Sequence, residues 1–337
     1  MTRPIRIAIN GFGRIGRTVL RQLATDPAHA DIEIAAINDI APLDSCAYLF
    51  RYDSAFGPFP GTVTTGREVL NVAGRAIPFW HRADLRGADL RGADLRDVDV
   101  VLECTGRAKT HDIASAGLDA GARRVLISGP SKAAEATIVM GANDHEIGGA
   151  RIVSNSSCTT NAIVPLLRSI DLGLGVERAH ITTVHCYTGS QPTVDKPGPN
   201  LERSRAAAVS IVPTTTSAAS ETIEILPEFQ GRLSVAAVRV PVLSVSAIDA
   251  VFQISESPDE RLDEFIREAF QDCHLIGLSD EPNVSTDMRA RPESLVIALR
   301  ETRIVGHKQL RVFGWYDNEW GFSARMIEMA RRLAGRP

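Results

Sequence analysis

The chain has 337 residues, 44% of them hydrophobic and 23% charged, with a formal net charge of −4. Those proportions exclude a disordered, collagenous or membrane class, and the length suggests about two domains at roughly 150 residues each. The mild acidity excludes the basic face that general nucleic-acid binding needs, so no nucleic-acid partner is expected.

Arginine outnumbers lysine 33 to 4, a skew read as background composition. The five cysteines (Cys46, Cys104, Cys158, Cys186 and Cys273) are too scattered for a disulfide framework. No CxxC or Cys/His cluster has zinc spacing, so no metal is expected. No stretch approaches a membrane-spanning length of uninterrupted apolar residues, and the opening MTRPIRIAING lacks the apolar segment of a signal peptide. A cytoplasmic location without membrane association is the expectation.

Residues 5–9 (IRIAI) predict a buried strand that ends at Asn10. Gly11-Phe12-Gly13-Arg14-Ile15-Gly16 then matches G-x-G-x-x-G, and residues 14–23 carry apolar side chains at helical spacing. Strand, glycine turn and helix in that order are the context a dinucleotide fingerprint requires. The glycines let the backbone approach a pyrophosphate, and the helix start offers N–H groups and partial positive charge to the anion.

Residues 32–38 (IEIAAIN) predict the next parallel strand, with Asp39 at its end, 23 positions beyond Gly16. An acidic residue at that offset hydrogen-bonds an adenosine ribose and repels a 2′-phosphate, which favours NAD over NADP. Strands predicted at 98–104 and 124–128 extend the same half into a doubly wound parallel sheet. Ligands bind beyond the carboxyl ends of such strands, where Thr105 and Ser128 stand.

Between the strands predicted at 77–80 and 98–104, residues 83–96 read ADLRGADLRGADLR. A period of five resembles a pentapeptide solenoid, but the segment is too short to stack coils around a core. It is read as a polar surface excursion, duplicated in place, with no catalytic role.

Residues 151–153 predict a strand and 162–170 a helix in which Pro165 is a local conflict. Cys158 would sit at or near that helix start, where the dipole would acidify the thiol and N–H groups could stabilise an oxyanion. Its neighbours Ser156, Ser157, Thr159, Thr160 and Asn161 are too polar for a plain buried cysteine, the reading given to Cys46, Cys104 and Cys273. A strand predicted at 179–184 delivers His185. On spacing alone His185 is either the base of a Cys–His pair or a structural histidine.

Thr214-Thr215-Thr216-Ser217 precedes an Ala-rich helix and suits anion capture. Arg203 and Arg205 lie in a Gly/Pro-rich loop at 189–205. Arg239 interrupts the apolar run VAAVRVPVL and needs a partner, either a bound anion or a protein carboxylate.

Together these residues resemble the phosphorylating glyceraldehyde-3-phosphate dehydrogenase family over essentially the whole chain. The resemblance rests on INGFGRIGR (9–17), SNSSCTTN (154–161), TTVHCYT (182–188), RAAAVSIVPTTT (205–216), AVRVP (237–241) and WYDNEWGFSAR (315–325), in the family's order. It implies an α/β protein: a doubly wound parallel-sheet NAD-binding domain plus an α+β catalytic domain with a mixed sheet. The implied boundaries are residues 1–157, completed by a C-terminal helix at 321–337, and residues 158–320.

By the same resemblance Cys158 is the nucleophile and His185 its acid–base partner. The glycine-turn residues Gly11, Phe12, Gly13, Arg14 and Ile15, with Asp39, Arg82, Thr105, Ser128 and Asn318, would contact NAD, Asn318 fixing the nicotinamide amide. Ser157, Thr159, Thr188, Arg203, Thr216, Ser217 and Arg239 would surround the phosphate of a sugar-phosphate aldehyde and an attacking inorganic phosphate. The implied reaction is NAD-dependent conversion of D-glyceraldehyde 3-phosphate to 1,3-bisphosphoglycerate through a Cys158 hemithioacetal and thioester, by a homotetramer.

Several positions depart from the family's common pattern. Ser217 stands where glycine is common, Ala162 where a second cysteine is frequent, Lys196 where an apolar residue is usual, and Cys186 directly follows the base. Residues 301–310 (ETRIVGHKQL) look closer to the erythrose-4-phosphate dehydrogenase branch, the alternative activity.

Overall fold

In the computed structural model, residues 3–86, 94–258 and 261–336 are described, and residues 87–93 of the ADLRG repeat lie outside them. The chain divides into two compact units. The first comprises the described residues of Met1–Ile138, Asn143–Ser156 and Ser323–Pro337; the second comprises those of Val139–Ala142 and Ser157–Phe322.

The first unit is built on a nine-stranded sheet. Its parallel part runs Ala136–Thr137, Ile152–Ser154, Arg124–Ile127, Val100–Glu103, Ile5–Asn10, Ile32–Asn38 and Arg75–Trp80. Val69–Val72 and Val63–Gly66 add an antiparallel edge. The central strands are β-branched and buried on both faces, as a sheet covered by helices on both sides requires. The sheet order places Ile5–Asn10 between Val100–Glu103 and Ile32–Asn38, so the strand order reverses at the glycine turn.

Three glycines explain that turn. Gly11 has φ +94°, and an added Cβ would lie 2.6 Å from the Thr105 nitrogen. A Cβ on Gly16 would lie 2.3 Å from the Gly11 carbonyl oxygen, so the Arg14–Thr25 helix docks on the strand only without one. Gly13 has nothing within 4 Å of such a Cβ and opens into space.

The ADLRG segment is not simply a surface excursion. Leu85 and Leu95 are buried in the same core cluster as Val98, Val101, Ile127 and Ile152. Among its described residues, Arg86 bridges Asp84 (2.7 Å) and Asp112, and Arg96 pairs with Asp94 at 2.7 Å. The leucines therefore pin both ends of the segment to the sheet. The returning end of the chain is held by Arg331, which bonds both carboxylate oxygens of Asp31 at 2.9 and 2.8 Å.

The second unit carries an eight-stranded mixed sheet. Its path is Val212–Thr214, Leu233–Val240, Val176–Cys186, Ser246–Ile254, Gln309–Tyr316, Leu295–Ala298 and Ile276–Ser279, with Arg303–Val305 beside Gln309–Tyr316. Val176–Cys186 and Leu233–Val240 are parallel, and Ser246–Ile254 is antiparallel to the first of them. The Cys158–Leu174 helix runs straight through the conflict at Pro165. Most of its length is fully buried, so tertiary burial outweighs the lost backbone bond. Among the described residues no helix is long and apolar enough to cross a membrane.

Candidate active site

In the first unit a cavity of about 300 Å³ opens at the carboxyl ends of the central strands. Gly11, Gly13, Asp39, Arg82 and Thr105 line it, as does Arg86 of the first ADLRG unit. Part of the first ADLRG unit thus stands on the cavity wall, next to the buried Leu85. Asp39 is aimed by two backbone donors: its Oδ2 accepts the Phe12 N–H at 2.6 Å and its Oδ1 the Ala41 N–H at 2.8 Å. Phe12 itself is buried, its ring 5.9 Å from that of Phe50.

Arg14 and Ile15 open the Arg14–Thr25 helix, and the first N–H groups of a helix have no intrahelical carbonyl to bond. The Arg14 guanidinium is paired bidentately with Asp53, at 2.5 and 3.2 Å, which leaves the backbone as its means of reaching an anion. Ser128 follows the Arg124–Ile127 strand, donates its N–H to the Glu103 carbonyl at 3.0 Å, and is not part of the cavity wall.

A polar lattice that the sequence did not announce braces this end of the sheet. Asn10 Nδ2 donates to Glu103 at 2.5 Å, and Asn38 Nδ2 donates to Asn10 Oδ1 at 2.8 Å. Thr105 donates both its N–H and its hydroxyl to Glu103. Burial raises the Glu103 carboxyl above its ordinary pKa, against those bonds. The open Gly13, the tight Gly11, and Asp39 at the mouth fit a dinucleotide: backbone for the pyrophosphate, a carboxylate for ribose hydroxyls.

In the second unit Cys158 is the first residue of its helix, and Ser157 caps it by accepting the Thr160 N–H at 3.1 Å. The Ser157 hydroxyl also meets Thr160 Oγ1 at 2.6 Å, so its expected role at a phosphate competes with capping. His185 lies one residue before the end of Val176–Cys186, within the strand rather than beyond it. The Cys158 Sγ stands 3.7 Å from His185 Nε2. His185 and Arg239 are register partners on adjacent parallel strands, and their side chains share one sheet face.

Arg239 NH1 stands 2.5 Å from His185 Nδ1 and 2.8 Å from the Cys186 carbonyl oxygen. No carboxylate among the described residues pairs with Arg239, which removes one of its two expected partners. Nδ1 thus stands between a donor, the Arg239 guanidinium, and an acceptor, the Cys186 carbonyl oxygen at 2.7 Å, and whichever contact holds sets the ring tautomer facing the sulfur.

Burial opposes the acidification expected of the thiol. Burial pushes Cys158 up to about 11, opposed by the Arg239 charge and by bonds from Thr159. Burial, reinforced by Arg239, takes His185 down to about 3. Both shifts favour the uncharged forms of the pair. A helix start favours a thiolate, but desolvation of the sulfur is the larger effect here.

Arg203 is held beside the threonine cluster, its Nε donating to Thr214 Oγ1 at 2.5 Å. Thr214 lies opposite Ala237, on the face that carries Arg239, and the Arg203 charge helps to lower the Arg239 pKa after burial. Two cations that pair with no carboxylate among the described residues therefore share this neighbourhood. Thr216 accepts the Ala218 N–H at 3.1 Å, and Ser217 precedes the Ala218–Ile225 helix without capping it through its side chain. Thr188 is bonded to Ser190 at 3.0 Å. The Thr159 hydroxyl turns inward to Tyr316 OH at 3.0 Å.

Tyr316 and Glu221 support the site and went unseen in the sequence. Tyr316 also bonds Thr183 at 2.7 Å and sets its ring edge-on to His185, centroids 6.0 Å apart. Glu221 accepts the Ser157 N–H at 3.0 Å and the Thr160 hydroxyl at 2.8 Å, which fixes the helix start carrying Cys158. Tyr316 stands inside the WYDNEW motif, which was its one signal; Glu221 had none. Asn318 is buried, and its amide is bonded to Cys186 and Ser246.

The family model described as glyceraldehyde 3-phosphate dehydrogenase, NAD binding domain, matches residues 5–111. The model described as the C-terminal domain of the same enzyme matches residues 157–318. The chain belongs to the glyceraldehyde-3-phosphate dehydrogenase family. It is 42% identical over 330 residues to the glyceraldehyde-3-phosphate dehydrogenase of Xanthobacter flavus, covering 97% of each chain. It is 43% identical over 333 residues to that of Pseudomonas aeruginosa, covering 98% of each. The family's model for this half is an NAD binding domain, NAD is the cofactor, and the cavity lined by Gly11, Gly13 and Asp39 lies within the matched residues.

Proposed function

We propose that this chain catalyses the NAD-dependent oxidative phosphorylation of D-glyceraldehyde 3-phosphate to 1,3-bisphosphoglycerate. The observation that carries the reading is the Cys158 Sγ 3.7 Å from His185 Nε2, with Arg239 and Arg203 nearby and paired with no carboxylate among the described residues. The relatives bear the name of this activity rather than of erythrose-4-phosphate oxidation.

The sugar phosphate is bound by Arg239 and Arg203, with Thr188, Thr216 and Ser217 supplying hydroxyls to it or to the attacking phosphate. As the anion draws the Arg239 guanidinium away, Nδ1–H can donate to the Cys186 carbonyl, 2.7 Å off, and Nε2 becomes the acceptor. Cys158 adds through sulfur to the aldehyde carbon, and its proton passes through His185 to the aldehyde oxygen. His185 Nε2 then takes the hydroxyl proton of the hemithioacetal as the carbon loses hydride. NAD, when bound, supplies the hydride acceptor. Inorganic phosphate attacks the resulting thioester, the acyl phosphate leaves, and the Cys158 sulfur recovers a proton from His185. The N–H groups at the helix start stabilise the oxyanion at each addition.

Cofactor contacts are assigned to Gly11, Phe12, Gly13, Arg14 and Ile15 through their backbone, to Asp39 on the ribose, to Arg82, Thr105 and Ser128, and to Asn318 on the nicotinamide carboxamide. A homotetramer in the cytoplasm completes the reading. Val194, Leu201, Val209 and Ile211, each at least 71% exposed, supply apolar surface for a second copy of the chain.

NADH formation should be measured with D-glyceraldehyde 3-phosphate and D-erythrose 4-phosphate, with NAD or NADP, and with phosphate present or absent. The expected optimum is glyceraldehyde 3-phosphate, NAD and phosphate together. A faster reaction with erythrose 4-phosphate, or one indifferent to phosphate, overturns the reading. Light scattering on the eluting protein tests the tetramer.

A further inference from the structure

Asn318 is held from three sides. Asp317 accepts the N–H groups of Glu319 (3.0 Å), Trp320 (2.8 Å) and Ala290 (2.9 Å), which fixes the backbone on either side of it. Its own Oδ1 accepts two hydrogen bonds, from Cys186 Sγ and from Ser246 Oγ, each at 3.2 Å. Ser246 Oγ in turn accepts the Cys186 N–H at 3.2 Å. The three side chains come from the end of one strand, the start of its antiparallel neighbour, and the turn after a third.

An asparagine amide presents an acceptor on one side and a donor on the other, and the two are interchanged by a flip. Here the acceptor is doubly occupied, and Nδ2 bonds no other described residue. Burial pushes the Cys186 thiol up to about 12, so it keeps the proton it donates. A flip would replace the accepting oxygen by NH₂ and lose both hydrogen bonds that the thiol and the hydroxyl donate to it.

We propose that Cys186, with Ser246, is a positioning residue that locks the Asn318 amide so that Nδ2 is presented to the carbonyl oxygen of the nicotinamide carboxamide. The proposal rests on the assignment of Asn318 to that carboxamide and adds the residue that sets its orientation. The unusual cysteine after His185 thereby acquires a role distinct from nucleophilic or redox chemistry.

The test compares Cys186→Ala, Cys186→Ser, Ser246→Ala and Asn318→Ala. NAD affinity is read by quenching of intrinsic fluorescence without substrate, and hydride facial selectivity by transfer of deuterium from C1-labelled aldehyde to the cofactor. Loss of one such bond should weaken NAD about three- to tenfold in Cys186→Ala. Part of the label should then appear on the wrong face of the nicotinamide, while Cys186→Ser, which keeps a donor, restores both. Should Cys186→Ala not fold, Ser246→Ala removes the other donor and carries the same expectation. If Asn318→Ala weakens NAD and loosens selectivity while the Cys186 and Ser246 variants match the parent, the positioning role is overturned. If Asn318→Ala also matches the parent, the carboxamide assignment itself fails and the proposal falls with it.

Discussion

His185 and Arg239 are neighbours by register, paired across adjacent parallel strands, and Arg239 NH1 touches His185 Nδ1 at 2.5 Å. One arginine therefore bears on both halves of the chemistry. Its charge lowers the imidazole pKa and opposes the burial that raises the thiol.

Arg239→Leu should raise KM for the phosphorylated aldehyde about 10- to 100-fold, the weight of a charged hydrogen bond. The rate with unphosphorylated D-glyceraldehyde should change much less. Steady-state kinetics with both aldehydes decide it, and an equal loss with both would remove Arg239 from the phosphate site.

Cys158 should alkylate slowly near neutrality in the free enzyme. Its pKa of about 11 means that the thiolate fraction rises about tenfold per pH unit well into the alkaline range. Inactivation by iodoacetamide, followed against pH without substrate, checks this. A plateau below about pH 7 would instead reveal the acidic thiol that a bare helix start suggests. Cys158→Ser should abolish oxidation and leave NAD binding nearly intact.

His185 should make the protein acid-sensitive. Its folded pKa is depressed from 6.5 to about 3, so between those values the unfolded chain binds the extra proton. The contribution to stability is complete above 6.5 and is lost as pH falls toward 3, at up to about 1.4 kcal/mol per unit. His185→Asn cannot titrate there. Its melting temperature should fall less steeply on acidification, and an unchanged slope would contradict the assignment.

Leu95→Ala should destabilise the fold by about 2–4 kcal/mol, as for a buried leucine, with kcat within about twofold of the parent. Denaturant unfolding with parallel kinetics measures both. A neutral effect on stability would return the repeat to the status of a surface excursion.

Much of the fold was legible because its signals are local. The glycine turn needs no partner to be recognised, since Gly11 and Gly16 are demanded by contacts within one strand–turn–helix unit. The strands at Ile5–Asn10 and Ile32–Asn38 lie where the apolar runs put them. Cys158 at a helix start was likewise readable from a polar run meeting an apolar one. The ADLRG leucines were not, because a five-residue period looks polar until a sheet stands beneath it.

By itself the sequence determined the family, the NAD fingerprint with Asp39 at the strand end, and a candidate nucleophile with its candidate base. Those are properties of residue order over short spans. Only the tertiary structure decided how the groups behave. Parallel pairing brought residues 185 and 239 together from 54 positions apart. Burial opposes the expected acidity of Cys158, because desolvation depends on everything packed around a sulfur and not on the helix it begins. Three chain segments converging on one amide oxygen set which way Asn318 faces, and no local pattern encodes that meeting.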